Sequence, residues 1–138
     1  MARAIQEAQC ALERGEMPIG AVIVLDGQII ARSHNLTETL NDVTAHAEMQ
    51  AITSAANFLG AKYLNQCTLY VTLEPCPMCV GALYWSQIGS VVFGAKETRH
   101  KLLTPPNYHP KTTVEGGVLA QEAASLIDRF FEIKRSLN

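Results

Sequence analysis

Two short segments hold most of the chemistry this chain can do: Thr44-Ala45-His46-Ala47-Glu48 and Glu74-Pro75-Cys76-Pro77-Met78-Cys79. The Cys-x-x-Cys spacing lets both thiolates face one ion from the first turn of a helix. There the backbone N–H groups and the helix dipole favour the deprotonated thiol. Alone, such a pair is either a redox couple or half of a metal site, and a redox couple needs no partner some thirty residues upstream. His46 supplies that partner. One imidazole nitrogen and two thiolates suit zinc in softness and number, and they leave a fourth tetrahedral position open. Three protein ligands with an open position is the catalytic pattern, whereas a structural site takes four. Cys67, His34, His100 and His109 are available as fourth ligands on sequence alone. For Cys67, in a strand-like run, and Cys10, on a helix-like one, the ordinary expectation is a buried apolar thiol.

Glu48 stands two residues beyond His46, close to the ion but awkward for binding it. A carboxylate there can instead hydrogen-bond a zinc-bound water, whose pKa falls from 15.7 to about 7. Hydroxide then becomes available at neutral pH, with Glu48 able to carry the proton to a substrate. By itself Glu48 reads as a surface helix residue. Beside His46, Cys76 and Cys79 it reads as the catalytic acid/base.

The elements that must hold these groups follow from hydrophobic patterning. The chain has 138 residues, 48% of them hydrophobic and 17% charged, which fits one compact globular domain spanning 1–138 and excludes disorder. Residues 2–14 have helix-forming composition, with Ile5, Ala8 and Leu12 near one face and Gly15 as a stop. Ile19 to Leu25 and Gln28 to Ser33 read as strands joined by the hairpin signal Asp26-Gly27. A helix is predicted over 46–57, a strand over 67–73, a helix over 77–86, and strands over 90–94 and 114–118. An amphipathic helix over 120–136 ends the series. Residues 97–113, with three prolines, read as a long loop of functional character. Strands alternating with helices predict a layered α/β domain with a mixed sheet.

The uncharged run 75–95 is long enough to suggest a membrane span, but Pro75, Pro77, Gly81 and Gly89 divide it into soluble elements. No secretory signal is recognisable, and four cysteines without one point to a reducing, cytoplasmic setting. The net charge of −2 argues against gripping nucleic acid by bulk positive charge. Residues 1–95 carry four basic and eight acidic groups, while 96–138 carry seven and five. A polyanion would therefore approach the C-terminal third.

His-x-Glu followed by Pro-Cys-x-x-Cys resembles the signature of the zinc-dependent cytidine/nucleobase deaminases. The likeness extends over about 2–95 and 114–135 to the bacterial tRNA-specific adenosine deaminases. It includes Met17-Pro18-Ile19-Gly20-Ala21-Val22, Asn35, Val71-Thr72-Leu73-Glu74-Pro75-Cys76, Val91-Val92-Phe93-Gly94-Ala95 and Asp128-Arg129-Phe130-Phe131. The resemblance implies a three-layer α-β-α cytidine-deaminase-like fold with about five strands. It implies zinc, one per subunit, on His46, Cys76 and Cys79, with Glu48 as proton shuttle. Asn35, the backbone of Ala47 and the Leu73-Glu74 turn would orient the flipped base. The implied reaction converts adenosine at the wobble position of a tRNA anticodon to inosine, hydroxide attacking C6 and ammonia leaving. A homodimer is implied too, with RNA reaching both subunits and the C-terminal helix, where Phe131 and Arg135 are the candidate contacts. Lys96, Arg99 and Lys101 stand in the segment that lines the nucleic-acid groove in the family and offer a phosphate-binding rim. His100 and Lys111 would extend the phosphate-binding rim.

Two departures keep another substrate class open, a free nucleobase or nucleoside such as guanine or cytosine. Lys96-Glu97-Thr98-Arg99-His100-Lys101-Leu102-Leu103 lacks the glycines that the tRNA enzymes carry there. Gly81-Ala82-Leu83-Tyr84-Trp85, with Asn41-Asp42, is similar to guanine deaminases of the same fold, which act on a free base. A silent zinc-binding subunit is the third alternative.

Overall fold

The first helix shows how closely the layers approach. In the computed structural model, which describes residues 1–98 and 107–137, α1 (Ala2–Glu13) buries Ala4, Ala8 and Ala11. The expected face is thus shifted, since Ile5 and Leu12 are only half-buried. The cause is Gly20 in the facing strand. A Cβ there would run into the Ala4 carbonyl oxygen and come within 2.8 Å of Glu7 Cβ. Alanines on the helix and no side chain at Gly20 let the two backbones touch. Gly15, at φ 76, ends the helix in a Schellman turn. Gly15 N–H donates to Leu12 O at 3.1 Å and Glu16 N–H to Ala11 O at 2.9 Å. That turn sends Glu16 inward, where it is fully buried.

The strands are β1 (Gly20–Leu25), β2 (Gln28–His34), β3 (Thr68–Leu73), β4 (Ser90–Ala95) and β5 (Thr113–Glu115). They form one sheet in the order β2-β1-β3-β4-β5. β1 runs antiparallel to β2 and β3, while β3, β4 and β5 are parallel, so the sheet is mixed as expected. Asp26 and Gly27 take φ of 51 and 75, the primed turn that the Asp-Gly pair favours. β5 is shorter than the 114–118 run suggested. Gly117 and Val118 still donate to Gly94 O and Phe93 O, but Gly117 at φ 89 breaks the extended geometry.

Two further helices, α2 (Ala47–Leu59) and α3 (Pro77–Ser86), pack together on one face of the sheet. On the other face α1 packs with α4 (Ala120–Ser136). This is the three-layer arrangement of the expected fold class. The main core fills the space under α2 and α3, where Ala21, Ile23, Leu69, Val71 and Val91 meet Ala47, Ala51, Ala55 and Leu83. Each fully buried Leu, Ile or Val contributes roughly 1.5–3 kcal/mol relative to exposure. The run 75–95 is α3, a turn with Gln87 at φ 54, and β4. Among the described residues no helix is long and apolar enough to cross a membrane. Because β1 and β3 are antiparallel, the start of β1 lies beside the end of β3. Gly20 N–H donates to Thr72 Oγ1 across that junction at 3.1 Å. The N-termini of α2 and α3 converge at this same end of the sheet.

Candidate metal centre and cleft

Beyond Leu73 the chain turns into α3, and Glu74 N–H donates to Ala95 O at 2.8 Å, holding that turn against β4. Cys76 caps α3 and Pro77 opens it, a position where a missing N–H breaks no helical bond. Cys79 sits in the first turn and is fully buried. His46 caps α2, so the helix predicted from 46 begins one residue later. Ser33 Oγ donates to Ala47 O at 2.6 Å and pins the start of α2 to β2.

His46 Nδ1 lies 3.5 Å from Cys76 Sγ and 3.6 Å from Cys79 Sγ. The three donor atoms all fall within 4.8 Å of one another. A tetrahedral zinc with Zn–S near 2.3 Å and Zn–N near 2.0–2.1 Å separates its N and S ligands by roughly 3.6 Å. The donor set therefore fits zinc in both chemistry and spacing. Among the described residues no other His, Cys, Asp or Glu joins this group. Cys67 is buried just before β3. His34 donates from Nδ1 to Asn35 O at 3.0 Å. The His109 ring packs on Tyr84 with centroids 5.5 Å apart. His100 lies outside the described residues.

The two thiols share one proton. A hydrogen bond from Cys79, with help from His46, lowers Cys76 to about 4. The same bond, together with burial, pushes Cys79 well above the usual thiol range. His46 is raised, chiefly by its bond to Cys76. A divalent cation replaces that proton, because a coordinating thiol is deprotonated outright. Glu48 is 4% exposed, and burial pushes its carboxyl up to about 7. At that value a carboxyl both takes and gives a proton near neutral pH.

Glu48 and His46 open into a cleft of about 330 Å³. Met17 and Ile19 wall it from before β1, Asn35 and Thr37 from after β2, Leu73, Glu74 and Cys76 from the β3–α3 turn, and Glu97 from beyond β4. Of the residues assigned to the base, Asn35, Leu73 and Glu74 line it. Ala47 is not among the lining residues: its side chain is buried in the core and its carbonyl is taken by Ser33, which leaves its N–H, at the start of α2, as the backbone group a base could meet.

A second depression, of about 290 Å³, adjoins the first and shares Leu73 and Glu97 with it. Lys96 and Phe131, far apart in sequence, both line it. Arg135 is exposed in the last turn of α4 and lines neither depression. Arg99 and Lys101 lie outside the described residues. Lys111 is exposed in the turn before β5.

Sequence reasoning missed two groups here. Glu16 is fully buried behind Asn35, and its sole signal was an acidic residue directly after a helix stop. Tyr108 packs on the main core. Burial, followed by the negative charge of Glu74, Glu48 and the two thiols, pushes its hydroxyl above the usual range, so it lies within electrostatic reach of the metal group. Only its position in the long proline-containing stretch hinted at this.

Residues 1–95 match the family model described as the cytidine and deoxycytidylate deaminase zinc-binding region. The tRNA-specific adenosine deaminase of Bacillus subtilis (strain 168) is 47% identical, over 95% of this chain and 86% of its own length. A solved tRNA A34 deaminase superposes with a TM-score of 0.84 at 42% identity, covering 91% of this chain and 96% of its own. The guanine deaminase of Bacillus subtilis gives a TM-score of 0.66 at 47% identity, covering 69% of this chain and 61% of its own.

Proposed function

Because the chain belongs to the zinc-binding cytidine and deoxycytidylate deaminase family, we propose that it deaminates the wobble adenosine of a tRNA anticodon to inosine. As a family member it is a zinc-dependent hydrolase. The reading is carried by one observation: a buried carboxyl poised near 7 shares a cleft with a three-donor group of zinc spacing. His46, Cys76 and Cys79 hold the metal in this reading, with residues 1–138 acting as one domain. When bound, zinc supplies a water acidic enough to ionise near neutral pH.

Glu48 takes the proton from the attacking water and delivers it to the ring nitrogen beside C6. It then takes the remaining proton of the newly added C6 hydroxyl and passes it to the departing amine, so ammonia leaves as the C–N bond breaks and the C6–O bond becomes a carbonyl. Asn35, the backbone of Ala47 and the Leu73-Glu74 turn orient the base. The adjoining depression, with Lys96 and Phe131, receives a neighbouring nucleotide, and Arg135 meets the phosphate backbone further out. Arg99 and Lys101 belong to the same proposed rim.

Function as a homodimer accords with α3. That helix has no charged residue, yet Trp85 is 78% exposed and Tyr84 39%, a face that asks for a partner. A cytoplasmic location follows from the proposed tRNA substrate.

Deamination of a free base is the second reading, favoured by the likeness to the Bacillus subtilis guanine deaminase over 69% of the chain. Inosine formation in an anticodon stem-loop with adenosine at the wobble position separates the two, with guanine, cytosine and adenosine assayed alongside. Inosine in the stem-loop is the expected result. Ammonia released from a free base alone would transfer the same chemistry to the second substrate class.

A further inference from the structure

One buried carboxylate among the described residues lies away from the metal ligands. Glu16 has no exposed surface, and both its oxygens are fully engaged. Oε1 accepts from Glu38 N–H at 3.0 Å and from Asn35 Nδ2 at 3.4 Å. Oε2 accepts from the Thr39 N–H and the Thr39 hydroxyl, each at 2.6 Å. A carboxylate has about four acceptor sites, so this one is saturated. The segment it ties down closes on itself through Leu36 N–H to Ala45 O at 2.9 Å and passes directly into His46. The remaining Asn35 Nδ2 hydrogen goes to Thr37 Oγ1 at 3.2 Å. With both amide hydrogens consumed, the group that Asn35 can still offer to the cleft is Oδ1, an acceptor.

We propose that Glu16 is a positioning residue for the reaction: it locks the Asn35 amide with Oδ1 toward the cleft, so that this side chain accepts a hydrogen bond from a donor on the substrate. The inference rests on the deaminase reading of the cleft and deepens it. An acidic residue is required, because a glutamine would turn its own N–H₂ against the Thr39 donors or against the Asn35 amide. Either clash leaves buried donors unpaired.

Four zinc-loaded variants test the lock: Glu16→Gln, Asn35→Ala, the double variant, and Thr39→Val, which loosens the segment without touching the amide. On the stem-loop substrate Glu16→Gln should raise KM roughly tenfold, the loss of one hydrogen bond, with a smaller change in kcat. In the Asn35→Ala background the same substitution should add less than about twofold, because the two act as a unit. Thr39→Val should lower thermal stability and leave KM within about twofold. An equal Glu16→Gln effect in both backgrounds would overturn the proposal, as would a Thr39→Val effect on KM as large as that of Glu16→Gln. A second readout needs no turnover. The Asn35 side-chain amide hydrogens, followed by NMR, should exchange with water at least tenfold faster in Glu16→Gln, and unchanged exchange would refute the lock. Absence of inosine with the wild-type protein would count against the deaminase reading, while the exchange measurement would still decide the lock.

Discussion

Replacing Glu48 by glutamine should separate stability from catalysis, since one buried carboxyl serves the second against the first. Burial raises its pKa from the ordinary 4.5 to about 7. At about 1.4 kcal/mol per tenfold change in proton affinity, that difference corresponds to roughly 3 kcal/mol. The sign follows from proton counting. Between pH 4.5 and about 7 the unfolded chain has released a proton that the folded chain keeps, so the Glu48 contribution to stability falls as pH rises. Above 7 the full penalty of an ionised buried carboxylate applies. Glu48→Gln is nearly isosteric and removes it. Chemical denaturation of the metal-free proteins should show little difference at pH 4 and a variant more stable by about 3 kcal/mol at pH 8. For a chain of this length that is a Tm higher by roughly 10 °C. In the zinc-loaded protein the same variant should keep its metal while turnover drops by ~10²–10⁴-fold. A variant less stable than wild type at pH 8 would refute the claim that burial strains Glu48, and retained turnover would remove it from the mechanism.

Gly20→Ala should destabilise the fold by several kcal/mol, on the scale of an overpacked core or more. The new methyl meets the α1 backbone at Ala4 and Ala8, which cannot swing aside as a side chain could, and a Tm within a few degrees of wild type would show that α1 tolerates displacement. Lys96→Ala removes an exposed cation from the rim of the second depression. Titrations of the stem-loop at several salt concentrations should show weaker binding, with the log–log salt slope reduced by about one. An unchanged slope would take Lys96 off the RNA path.

The chemistry of the site was legible in the sequence because it is written in short spacings. Cys76 and Cys79 are one helical turn apart, and Pro77 marks where that turn begins. His46 and Glu48 open a second helix in the same way. Helix starts and tight turns such as Asp26-Gly27 are set by local backbone preference, and local preference survives without knowledge of the fold. Hydrophobic patterning likewise indicated the alternation of strands and helices, and so the layered class.

What the sequence could not express is which distant atoms meet. The α1 face keeps Ala8 at its centre and Ile5 against the core, but it is displaced toward Ala4 and Ala11 because Gly20, a residue in a different element whose missing side chain sets the spacing, decides the closest approach. Glu16 and Asn35 are nineteen residues apart with no periodicity linking them, and only the antiparallel pairing of β1 with β2 carries the one behind the other. Lys96 and Phe131 share a depression because α4 returns across β4. The sequence by itself determined the donor set, the proposed acid/base and the elements that bear them, since those follow from bonds reaching a few residues. The tertiary structure alone decided the saturated environment of Glu16, the burial that lifts Glu48 toward neutrality and the joining of the two depressions, because desolvation and long-range hydrogen bonding arise only when separate segments exclude water together.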